Sequence, residues 1–294
     1  MRQTYGDVGF VAGVSRFFFA MTSMPLLLDP VGPASIVTPL TPLSIRMPDP
    51  MPIEILVDDP WFLVVNKPVD LLTQAIESLP SLQSVLIKQL SLPDAPKPFI
   101  GMPHRLDRMT SGTIVVARNQ RSLKRLCEQF ATRTVTKEYL AWVSGQLPKE
   151  GTWEDIMRKV PDEPRAELVS PDQEHAKPAK LEYRVLHQRV NCQAQPESLL
   201  LIRLGTGRMH QIRLQCASRG YPILGDRLYG SQSTWSTCAE TEPNHPDQKA
   251  FREPPLALHA FRLTFHHPKT AERISAIASH PPNFPWGEYA NQEF

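Results

Sequence analysis

Residues His104-Arg105-Leu106-Asp107-Arg108-Met109-Thr110-Ser111-Gly112 place one carboxylate between two arginines. A Thr-Ser-Gly turn and the apolar run Ile114-Val115-Val116-Ala117 follow it directly. That order predicts a loop carrying an acid up to a buried strand. Positive charge on both sides favours the carboxylate over the neutral acid, so Asp107 is expected to be anionic near neutral pH. An anionic carboxylate cannot donate a proton, but it can act as a nucleophile or as a base. The surplus arginine charge suits an anionic substrate. The competing reading is a solvated loop in which Asp107 caps a turn.

Further blocks carry chemistry in a fixed order. They are Val65-Asn66-Lys67-Pro68, Lys137-Glu138-Tyr139, Thr206-Gly207-Arg208-Met209-His210-Gln211-Ile212-Arg213, Pro222-Ile223-Leu224-Gly225-Asp226 with Leu228-Tyr229-Gly230, and Leu258-His259-Ala260. Together with the Asp107 block they span roughly residues 53–268 and resemble the RluA-type pseudouridine synthases, whose signature is His-Arg-Leu-Asp-x-x-Thr-Ser-Gly. The resemblance implies an isomerase that turns uridine into pseudouridine in ribosomal or transfer RNA, using no metal, nucleotide or redox cofactor. By the same resemblance Asp107 is the essential acid, either nucleophile at C1′ or base on the C2′ proton. Arg213 is the arginine that pairs with it in a bidentate fork, and Tyr139 packs against the extruded base and handles a proton. Arg105 fills the gap left by that nucleotide or binds phosphate, and Arg208 and His210 complete the expected substrate-binding set. One departure stands out: Val69-Asp70 occupies the place where the family carries a glycine turn. Asp tolerates unusual backbone angles, so loop geometry rather than chemistry is affected. Asn66-Lys67-Pro68 reads as a structural strand end.

Composition narrows the alternatives. A chain of 294 residues with 41% hydrophobic and 21% charged residues is ordinary for a globular protein. The net charge of +2 hides an uneven distribution, with residues 101–145 and 200–230 basic and 150–174 acidic. Arg118, Arg121, Lys124, Arg125 and Arg133 in one basic segment, with Arg203, Arg208 and Arg219 in the other, are expected to line one RNA groove. Cys127, Cys192, Cys216 and Cys238 form no C-x-x-C pair, which argues against a zinc ribbon or a disulfide framework and for a reduced, cytoplasmic setting. No stretch of about 18 apolar residues offers a membrane span. The chain is expected to be a monomer. Two other classes compete: an RNA-binding protein that kept the fold without catalysis, and a metal-dependent hydrolase built on His104, Asp107 and His210.

The elements that must hold these residues read as strands with a few helices. Ile53–Val57, Phe62–Val65, Lys137–Ser144, Leu181–Val190, Leu199–Leu204 and Ala257–Phe265 are the expected strands. Ser81–Leu90 and Gln120–Ala131 have helical spacing, and Thr206 is placed to cap a short helix over Arg208–Ser218, ended by Gly220. Lys149–Lys180 and Gln232–Pro255 read as polar surface excursions. The predicted class is α+β: a mixed, mainly antiparallel sheet with inserted helices and a catalytic cleft. Residues 51–294 are the expected catalytic domain. Residues 1–50 are punctuated by prolines and carry no family motif. They read as a disordered extension, a targeting segment, or residues ahead of the true start, with Met21, Met24, Met47 and Met51 as candidates.

Overall fold

The apolar runs and alternations of the sequence become one sheet. The computed structural model describes residues 52–74, 79–230, 256–281 and 285–286, so the expectations for residues 1–50 and 232–255 lie outside the described residues. The strands are β1 (Glu54–Asp58), β2 (Phe62–Lys67), β3 (Ser111–Ala117), β4 (Thr136–Ser144) and β5 (Glu150–Lys159), then β6 (Ala166–Leu168), β7 (Lys177–Val190), β8 (Pro196–Leu204), β9 (Leu258–His266) and β10 (Arg273–Ile277). Helices α1 (Leu82–Leu90), α2 (Gln120–Ala131) and α3 (Gln211–Ala217) and a 3₁₀ turn at Arg227–Tyr229 are inserted between them. The strand order is β1-β2-β3-β9-β4-β8-β7-β5-β6, with β10 added to β9. Each pairing is antiparallel except β3 with β9, so the expected mixed, mainly antiparallel α+β fold is the one observed.

Burial explains the arrangement. β3 is apolar on both faces and buried throughout. Ile114 and Val116 pack with Leu82 and Leu86 of α1, whereas Val115 and Ala117 pack with Leu126 of α2. Each helix therefore covers one side of the strand that follows the Asp107 loop. Ser81 caps α1 and Asn119 caps α2, each accepting the backbone N–H three residues on. β4 runs through the middle of the sheet with Leu140–Val143 fully buried.

Three expectations change. Lys149–Lys180 is no excursion: it forms β5, β6 and the start of β7, which widen the sheet. Trp153, Met157, Ala179 and Leu181 point inward while Glu150, Glu154 and Lys180 face water, so the polar residues mark one face of strands rather than a loop. The third helix starts at Gln211, later than expected. Thr206 does not cap it; its hydroxyl instead meets Gln211 Oε1 at 2.7 Å and accepts the Lys180 N–H at 2.9 Å. Cys192 is disulfide-bonded, against the expected reduced state, while Cys127 and Cys216 are free.

Candidate active site

The loop that carries Asp107 is fixed on several sides. Thr73 Oγ1 donates to Leu106 O at 2.9 Å and accepts the Leu106 N–H at 3.2 Å. Lys67, fully buried at the end of β2, donates to the carbonyls of Pro68, Leu71 and Arg108 at 2.8, 2.8 and 3.1 Å. Three acceptors match the three donors of an ammonium. Burial pushes this lysine down to about 7, opposed by the negative charges of Asp107 and Asp70. His104 accepts the Val115 N–H at 3.1 Å and stacks on Phe130 with ring centres 4.3 Å apart. Burial, aided by the charge of Lys137, pushes its imidazole down to about 3. That ring serves as a neutral brace, its Nε2 lone pair engaged by the Val115 N–H.

The Thr-Ser-Gly turn is equally constrained. His259 Nε2 faces the Ala278 carbonyl at 3.1 Å and so donates, leaving Nδ1 to accept the Ser111 hydroxyl at 2.8 Å. Gly112 has φ +115, and a Cβ there would lie 2.2 Å from Ala260 O. Only glycine allows β3 to meet β9 at this point.

The charge around Asp107 does not come from its neighbours in sequence. Arg108 pairs with Asp70 at 2.7 Å, and Arg105 is exposed at the edge of the cleft. Asp70 adopts φ 61 where the family has glycine, so this residue both makes the turn and holds Arg108. The partners of Asp107 come from the Thr206–Arg213 block: Arg213 Nη1 and His210 Nε2 each lie 3.7 Å from Asp107 Oδ2. The expected bidentate fork belongs to a different acid. Arg213 Nε and Nη2 meet Asp226 Oδ2 and Oδ1 at 2.8 Å each, and only the third nitrogen is turned to Asp107. Asp226 also starts the 3₁₀ turn, accepting the Tyr229 N–H at 3.3 Å. The Tyr229 ring lies 5.2 Å from the Arg213 guanidinium, and its hydroxyl lies 3.0 Å from His210 Nδ1. His210 adopts φ 51, a backbone conformation uncommon outside glycine and one that clusters at functional sites. Burial lowers its imidazole below the ordinary value despite the opposing charge of Asp107. Asp226, Tyr229 and Lys67 were all present in the blocks read from sequence, but without these roles. Lys67 with Arg108, Arg213 with Asp226 and Tyr229 with His210 each join residues well separated in sequence.

Asp107, Tyr139, Arg105, Arg208, His210 and Arg213 line one cleft of about 530 Å³. Tyr139 enters from β4 at the seam of two hydrophobic clusters. Burial raises its phenol, and the negative charge of Asp107 adds to the rise. Arg133 and Lys137 complete the basic wall. Burial lowers the Lys137 ammonium, and the charges of Arg133 and Arg208 depress it further. Among the described residues none of these three has a carboxylate partner. Arg133 holds φ 60 just past the end of α2, where glycine is the usual occupant.

The other basic residues expected in the groove lie elsewhere. Arg118 pairs with Asp58, Arg125 donates to Pro268 O, and Arg219 pairs with Asp155 while stacking on Trp153. Arg203 sits between Glu138 and Glu182 in the strand register, on the face opposite Tyr139. Arg121 and Lys124 are exposed on α2 and do not line the cleft.

Residues 61–218 match the sequence pattern of the RNA pseudouridylate synthases. The ribosomal large subunit pseudouridine synthase D of Xanthomonas campestris is 34% identical over 237 residues, which cover 80% of this chain and 68% of that protein. The protein of the same name from Haemophilus ducreyi is 32% identical over 240 residues, 81% of this chain and 70% of that one. Human RNA pseudouridylate synthase domain containing 1 superposes with a TM-score of 0.60 at 27% identity, over 79% of this chain and 85% of that structure. Human RNA pseudouridylate synthase domain containing 4 shares the fold, with a TM-score of 0.59 at 24% identity over 78% and 88% of the two chains.

Proposed function

The chain belongs to the RNA pseudouridylate synthase family, and on that premise we propose that it isomerises uridines of large-subunit ribosomal RNA, with Asp107 acting on the ribose of an extruded nucleotide. The reaction breaks the bond from C1′ to N1, turns the detached uracil and rejoins it at C5, whose proton leaves while N1 takes one up. Substrate and product have the same atoms and the same oxidation level. Attack at C1′ and removal of the C2′ proton both require an anionic carboxylate. The observation that carries the reading is the position of Asp107, held in the cleft with an Arg213 guanidinium nitrogen and a His210 ring nitrogen each 3.7 Å from one of its oxygens. Donors fixed before the reaction need no reorganisation as charge moves. Tyr139 offers a flat face for the uracil, and Arg105 stands at the edge of the cleft, where an extruded nucleotide leaves a gap. Lifting one base from its stack costs about a few kcal/mol, which contacts of this kind offset.

Ribosomal RNA is favoured over transfer RNA because the related bacterial proteins act, by their names, on the large ribosomal subunit. The test is a map of pseudouridines across total RNA from cells with the gene, without it, and with Asp107→Asn in its place. Loss of large-subunit sites, restored by the wild type and not by the variant, is the expected result. The variant's turnover should fall by at least about 100-fold, the lower range for removal of a reacting charged group. Sites lost in transfer RNA alone would move the substrate there, and full restoration by Asp107→Asn would remove that residue from the chemistry.

A further inference from the structure

The contacts behind Asp107 have a direction. Tyr229 Oη accepts the Ala166 N–H at 2.8 Å and lies 3.0 Å from His210 Nδ1, with Ala166 O farther away at 3.4 Å. Across the ring, His210 Nε2 faces Asp107 Oδ2 at 3.7 Å. A neutral imidazole carries a single proton, so one nitrogen donates and the other accepts. A lone pair on Nε2 would turn the negative edge of the ring toward a carboxylate. A proton on Nε2 turns an N–H dipole toward it instead, and the Tyr229 hydroxyl then donates to Nδ1. Burial lowers the His210 imidazole and raises the Tyr229 phenol, in keeping with a neutral pair. Arg213 Nη1 approaches the same carboxylate oxygen at 3.7 Å, while its other two nitrogens are taken by Asp226.

We propose that Tyr229 is a positioning residue that fixes His210 as the Nε2–H tautomer, so that His210 and Arg213 together hold Asp107 Oδ2 and leave Oδ1 as the oxygen that meets the ribose. A neutral donor steadies the carboxylate without forming a second ion pair that would quench it. The hydrogen bond on the distal nitrogen sets which tautomer a histidine adopts. The anchor of the chain is the backbone of β6, so the short strand hidden in the polar 149–180 segment reaches the site through a phenol. The assignment of Oδ1 rests on the function proposed above for Asp107; the tautomer does not.

The experiment uses the full chain with ¹⁵N-labelled histidine, comparing wild type with Tyr229→Phe, and measures kcat and KM for RNA on both. Phenylalanine keeps the ring beside Arg213 and His210 and removes only the hydroxyl. The wild type should give the Nε2–H signature at His210, identified by its loss in a His210→Gln chain. Tyr229→Phe should lose that preference, and kcat should fall about tenfold, the upper end of the range for one hydrogen bond between neutral groups, while KM stays near wild type. An Nδ1–H signature in the wild type overturns the proposal whether or not the variant folds. Wild-type kcat in Tyr229→Phe overturns it too. A wild type that makes no pseudouridine in RNA would instead defeat the proposed function, while its spectrum still reports the tautomer.

Discussion

A phenol buried beside a carboxylate stays protonated, and this bears on the role proposed for Tyr139. Burial and the charge of Asp107 both raise it, so in the proposed reaction it would act as a donor with a flat face, not as a phenolate base. Tyr139→Phe keeps the face and loses the donor; Tyr139→Leu loses both. Phe is expected to bind uridine-containing RNA near the wild-type affinity with turnover reduced about 100-fold or more. Leu should also weaken binding by ~1–3 kcal/mol, the range for one base stacked on an aromatic ring. Filter-binding and single-turnover assays on both variants check this. Equal, near-wild-type activity in the two would leave Tyr139 a packing residue. The same reasoning separates Arg213 from an ordinary surface arginine. With its fork on buried Asp226 and its ring contact to Tyr229, its third nitrogen has one direction in which to point.

At the scale of elements, the end of α2 and the start of β4 deliver Arg133 and Lys137 to the cleft, which Arg208 at the entry to α3 also lines. Like charges brought together without an acid destabilise the fold unless an anion joins them. Replacing Arg133 and Lys137 with glutamine is therefore expected to weaken RNA binding and flatten its dependence on salt by about one unit per lost phosphate contact. Lys124→Ala with Arg125→Ala, on the part of α2 outside the cleft, should leave the slope unchanged. Titration of labelled RNA at several salt concentrations distinguishes the two pairs, and the reverse ranking would place the RNA path along the outer face of α2. Most of the elements were legible in the sequence. The runs at β2 and β3 and the helical spacing of α1 and α2 are local patterns, and local patterns survive folding. β5 and β6 were not legible, because an edge of the sheet with one wet face reads as polar until its inward residues, Trp153 and Met157, are seen to share a side. The start of α3 was misread for a related reason. Thr206 has the chemistry of a cap, but Lys180 and Gln211 from elsewhere in the fold claim its hydroxyl. The site residues were legible as types and blocks. Their pairings, Arg108 with Asp70 and Arg213 with Asp226, were not, because sequence adjacency pointed to Asp107 in the first case and family likeness did in the second.

At the scale of the whole molecule, two neutral histidines, His104 and the fully buried His259, brace the sheet next to the Thr-Ser-Gly turn. His104 titrates at about 3 and His259 at about 4 in the fold, each lowered first by burial, against an ordinary value of 6.5. The unfolded chain takes up both protons as pH falls through about 6.5, and the folded chain cannot do so until 3 to 4. Acid therefore favours unfolding throughout that window, and the stability is fully present above it. The melting temperature should begin to fall below about pH 6.5, ahead of the carboxylate range. His259→Gln should melt lower at pH 7.5 and lose less on acidification. Melting curves from pH 7.5 to 4.5 decide, and an identical acid loss in the variant would remove His259 from the cause. The place of β9 in the sheet has another consequence. It lies between β3 and β4, and it meets β3 through only two residue pairs, Ser111 with His259 and Gly112 with Ala260. During translation β3 leaves the ribosome long before β9 exists. Until then the sheet is two fragments, β1-β2-β3 and β4-β8-β7-β5-β6, each with an unpaired edge, and the turn beneath Asp107 has nothing to rest on. Contacts so distant in sequence form late, and open strand edges are where nascent chains stick to one another. The half-made protein is thus at once unarmed as a catalyst and at its most vulnerable to aggregation, and a single late strand ends both conditions.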